Sequence, residues 1–102
     1  MRKLPIPPNA NNDENSIELV RGWIINEKLE CSIFPGVWKD EPETWGVLLA
    51  DIARHVASAL ENVTGKNKEK ILESIKKIMD EEWNSPWEEF EGDFVDWDKD
   101  EK

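Results

Sequence analysis

The chain has 102 residues, 23 of them acidic and 13 basic, for a formal net charge of −10. That length holds one domain with a modest core, and the negative balance excludes a general affinity for phosphate backbones or acidic membrane surfaces, both of which call for Lys/Arg faces. A single cysteine excludes an internal disulfide and a multi-cysteine metal site, while 38% apolar residues, six tryptophans among them, exclude full disorder.

The chain opens on Met1-Arg2-Lys3 followed by Leu4-Pro5-Ile6-Pro7-Pro8, which does not resemble a signal peptide. No apolar run nears the roughly 18 residues of a membrane span, so the cytoplasm is the expected compartment. Three prolines and three asparagines within residues 1–12 favour an extended arm. A single compact domain is expected over 13–85, and an acidic segment over 86–102.

Asp13 or Asn15 is placed to cap a first helix reaching about Lys28, with Ile17, Val20 and Ile24 on one stripe and Leu19 and Trp23 widening it. From Leu29 to Phe34 apolar and polar residues alternate, which predicts a strand. Pro35-Gly36 reads as a turn, and Val37-Trp38-Lys39 as either a short return strand or the lead into a helix. Asp40 and Glu43 suggest a capping box, with Pro42 in the first turn of a second helix. That helix carries Trp45, Leu48, Leu49, Ile52, Val56, Ala59, Leu60 and Val63 at helical spacing, and Gly65 ends it. Asn67 then caps a third helix with Ile71, Ile75, Ile78 and Met79 inside, and Glu73–Lys77 and Lys77–Glu81 pairs outside. Ser85-Pro86-Trp87-Glu88 repeats the start signal for a short acidic C-terminal helix. The overall expectation is an α+β fold of three main helices and one short strand or hairpin, plus that C-terminal helix.

Two stretches carry a resemblance: the run from Trp45-Gly46 through Arg54-His55, and Ile6-Pro7-Pro8 with Val20-Arg21-Gly22-Trp23-Ile24. Together with Leu29-Glu30-Cys31-Ser32-Ile33 they resemble a small family of uncharacterised bacterial proteins, a domain of unknown function, over about residues 4–85. The resemblance implies a bacterial cytoplasmic protein and no particular chemistry. The segment beyond Pro86 departs from the family pattern.

Residues 80–102 carry eleven acidic side chains against two lysines. Set among them are Trp83, Trp87, Phe90, Phe94 and Trp97, whose spacing of four, three, four and three draws one stripe on a helix. Such a stripe either folds back onto the core or lays its rings in a partner's groove while the carboxylates meet a basic rim. An acidic surface that imitates nucleic acid and fills a basic cleft is a third reading.

A second candidate lies on the second helix, where Asp51 and His55 stand one turn apart with Arg54 beside them. A carboxylate at that spacing can hold an imidazole and fix its tautomer, and the arginine can contact an anion. A surface ion pair is the plainer reading of the same residues. Cys31 shares a strand face with Leu29 and Ile33, which predicts a buried, inert thiol, and no cofactor or metal motif is present. The first functional expectation is therefore a non-enzymatic binding or regulatory protein contacting a basic protein partner through its C-terminal segment. A small ligand-binding or catalytic pocket around Asp51, Arg54 and His55, bounded by Trp23 or Trp45, is the second, and support for assembly of a larger complex is a third. The strand Leu29 to Phe34 lacks obvious partners, so a homodimer is expected in which ribbons or second-helix faces meet. In the rival monomer the Ile6-Pro7 arm supplies the second strand.

Overall fold

The computed structural model describes residues 1–85 and 93–96. Their order is a single helical turn α1 (Pro8–Asn11), strands β1 (Val20–Ile25) and β2 (Lys28–Ile33), a 3-10 turn (Pro35–Trp38), helices α2 (Pro42–Thr64) and α3 (Lys68–Trp83), and strand β3 (Asp93–Asp96). The fold is α+β. Two compact units hold these elements: one contains Met1–Val37 and β3, and the other begins at Trp38 and contains α2 and α3.

In the first unit β1 and β2 form an antiparallel hairpin that pairs Gly22 with Cys31 and Ile24 with Leu29. Where a first helix was expected, the chain is therefore extended. Asp13 accepts a hydrogen bond from the Asn15 N–H at 2.9 Å, closing a local turn instead of capping a helix. The β-branched Val20, Ile24 and Ile25 and the flexible Gly22 disfavour a helix and suit a pleated ribbon. Their helical spacing was coincidental with an alternation in which Arg21 and Trp23 are half-buried between exposed neighbours. Asn26 and Glu27, with φ of 52° and 69°, make the two-residue turn. Both central residues at positive φ give the type I′ geometry whose twist matches paired strands.

The strand β2 is also better partnered than expected. It lies between β1 and β3 in a three-stranded sheet, with β3 parallel to it and Phe94 opposite Cys31. The idea that this strand must pair with another chain is thereby overturned, as is a second strand supplied by the Ile6-Pro7 arm. Cys31 is half-buried.

In the second unit α2 starts where Pro42 was expected to start it, but Glu41 is the N-cap residue and no side chain caps it. Asp40 stands outside the first turn, so the Asp40–Glu43 box does not form. Instead the Thr44 hydroxyl donates to the Glu41 carboxylate at 3.2 Å. Gly65 ends α2 at φ 75°, its N–H donating to the Glu61 carbonyl at 2.8 Å. Asn67 caps α3 by accepting from the Lys70 N–H at 3.0 Å, and the Lys68 N–H donates across the turn to the Glu61 carboxylate at 3.0 Å. On the outside of α3 the ion pair among the described residues is Lys76–Asp80 at 2.8 Å, in place of the two pairs expected from Lys77. The hydrogen bond that the Lys76 ammonium donates to the Asp80 carboxylate raises the Lys76 pKa above its ordinary value, and the carboxylate's charge adds to that. Trp38 and Trp45 meet edge to face, with centroids 5.3 Å apart, at the entrance to α2.

The expected C-terminal helix falls mainly on residues 86–92 and 97–102, outside the described residues. Its start and middle differ from expectation. The Ser85 hydroxyl donates back to the Glu81 carbonyl at 3.0 Å and so finishes α3, while Asp93–Asp96 is a strand.

Candidate functional site

The five aromatics of the C-terminal stripe do not share one helix. Trp83 is the last residue of α3 and Phe94 lies in β3, because α3 is capped at Asn84, whose N–H and side-chain amide both donate to the Asp80 carbonyl. Trp87, Phe90 and Trp97 lie outside the described residues. Trp83 is 68% exposed.

Asp51, Arg54 and His55 all stand on the exposed side of α2. The Asp51 carboxylate accepts from the Arg54 guanidinium at 2.7 Å, with both side chains more than half exposed. The acid therefore meets the arginine three residues on, where the sequence pointed to the histidine four residues on. Trp23 belongs to the other unit, and Trp45 is engaged by Trp38. Among the described residues no group of three or more His, Cys, Asp or Glu side chains is placed to hold a metal ion, and no helix is long and apolar enough to cross a membrane.

Among the described residues the first unit has two open clefts of note. The larger, about 660 Å³, runs between the arm from Arg2 to Pro7 and the segment from Ser16 to Trp23. Arg21 lines it but is held by Glu18 through two hydrogen bonds of 2.7 and 3.1 Å to one carboxylate oxygen. The smaller, about 360 Å³, is lined by Ile17, Leu19, Val20, Ile33 and Phe34 with polar neighbours.

The largest chemical signal is elsewhere. Among the described residues only Ala57 is fully buried, while Leu49, Ile52, Val56, Leu60 and Val63 on α2 and Ile78 and Met79 on α3 are each at least 40% exposed. Large apolar side chains at helical spacing ordinarily lie against a core. Ile78 and Met79, expected on the inside of α3, and the apolar stripe of α2 are thus surface among the described residues. The available signal was the width of the apolar arc on α2, which is greater than one neighbouring helix covers.

The chain belongs to a family whose model is described as a domain of unknown function (DUF5076) and matches residues 3–87. It is also similar to a solved structure from the photosynthetic bacterium Rhodopseudomonas palustrus CGA009, described as a candidate pyruvate dehydrogenase. The two share 28% sequence identity with a TM-score of 0.71, over 87% of this chain and 89% of that one. No curated protein matches.

Proposed function

We propose that this member of the family is a non-enzymatic binding module of the bacterial cytoplasm, working through association with protein and not through a catalytic pocket. The observation that carries the reading is the apolar surface of the helix pair, where seven large side chains stand at least 40% exposed around a unit with a single fully buried residue. Exposed apolar side chains in this number favour an interaction site. The acidic C-terminal residues add a second element. Eleven carboxylates against two lysines after residue 79 favour a basic protein partner and speed its encounter, with Trp87, Phe90, Phe94 and Trp97 as the apolar contacts.

The test is titration of the full-length protein with a basic amphipathic peptide, followed by tryptophan fluorescence and calorimetry. Binding that weakens with added salt and drops on joint Trp87→Ala and Phe90→Ala replacement is expected. Absence of binding, or binding indifferent to both salt and substitution, would remove the acidic segment from the reading. The pocket reading around Asp51, Arg54 and His55 draws less support, since the three side chains stand on the outside of α2 and Asp51 is engaged by Arg54. A dehydrogenase assignment like that of the Rhodopseudomonas neighbour would call for an enclosed site holding an electron-accepting cofactor beside its substrate. The observations on this chain bear on association instead.

A further inference from the structure

The occupant of the apolar helix face follows from how α2 divides its circumference. Successive residues lie about 100° apart around a helix. Ala57, the fully buried residue, and Glu61, whose carboxylate accepts from the first N–H of α3, mark the side turned to α3. Facing away from that side, roughly 140° around the helix, Leu49, Ile52, Val56, Ala59 and Val63 recur at intervals of three, four, three and four. This is the a/d rhythm of a coiled-coil seam. Leu49 is 52% exposed, Val56 43% and Val63 82%, so α3 does not cover it.

We propose that this seam is the interface of a homodimer in which the α2 helices of two copies of the chain pack against each other. The inference rests on the interaction-module reading and names its first partner. Three observations choose a second copy. A seam of period 3.5 is complemented by a helix of the same period, and α2 itself is one. The positions flanking it are Gly46, Leu48, Ala53, His55, Leu60 and Asn62. They include no carboxylate and no Lys or Arg, so two chains of net charge −10 can meet there without facing acids, whereas a basic partner would find no acidic rim. Finally, a pair of helices encloses no core by itself, and a second copy seated on the seam gives α2 a helix on either side.

Sedimentation equilibrium of the full-length protein tests this, with helical circular dichroism as the folding control. The wild type should sediment at twice its 11.9 kDa. Val56→Glu should give a monomer, and the milder Ile52→Ala should weaken association roughly ten- to a hundredfold. Val47→Glu, on the far side of α2 and 61% exposed, should leave the mass unchanged. A dimer indifferent to Val56→Glu and Ile52→Ala overturns the seam as its interface. A wild-type monomer overturns the homodimer, and binding of an apolar dye then separates two cases. Dye bound to the monomer leaves the module reading standing with a foreign partner, and no dye bound means that the chain covers its own seam, so that both readings fall.

Discussion

Glu27 sits at φ 69° in the hairpin turn, a conformation that costs a side chain about 1–2 kcal/mol relative to ordinary backbone. Asn26, at φ 52°, suits that conformation better, since a short amide side chain is among the few that enter the left-handed region readily. Glu27→Gly should therefore stabilise the protein by about 0.5–1 kcal/mol, after allowance for the greater freedom of glycine in the unfolded chain. Urea denaturation measures it, and a destabilised variant would show that the Glu27 side chain has an interaction worth more than the strain. The same turn explains why the hairpin was hard to read. Asn-Glu is not the Asn-Gly that announces a two-residue turn, whereas Gly65 was legible because a glycine after an apolar helical run has one common use.

At the scale of elements, α2 and α3 were legible, the turn α1 was not, and the ribbon only in half. Pro42, Gly65 and Asn67 mark the ends of α2 and α3 by mechanisms that are local in sequence. The strand β1 was hidden because Val20 and Ile24 satisfy helical and alternating patterns alike, so that six residues between a turn and an arm do not distinguish them. The cap on α3 offers a direct check. Asn67→Ala removes the acceptor for the Lys70 N–H and should cost about 1 kcal/mol, seen as a lower denaturation midpoint with an unchanged slope. A loss well above that would mean that the Asn67 side chain does more than cap. The candidate site was less legible than the fold. Sequence spacing told which residues of α2 are apolar but not which of them α3 would leave uncovered, since that depends on how two helices approach.

For the whole molecule, charge and apolar surface lie on different parts of the chain, which sets the sign of a salt effect. The proposed homodimer seam has no charged flank to screen, while two chains of net charge −10 repel at long range. Raising the ionic strength should tighten self-association and loosen the hold on a basic partner. Sedimentation at low and high salt checks the first, and a dimer that dissociates in salt would point to an interface built on ion pairs. The parallel pairing of β2 with β3 has a further consequence in time. Cys31 and Phe94 are partners about sixty residues apart in sequence, whereas the contacts of α2 with α3 close over a short turn. During synthesis the helix pair can be complete while the ribbon still waits for its third strand, and a two-stranded ribbon alone is marginal in water. The first unit is thus begun first and finished last, and a chain halted before Asp93 would carry a finished helical half and an unfinished sheet.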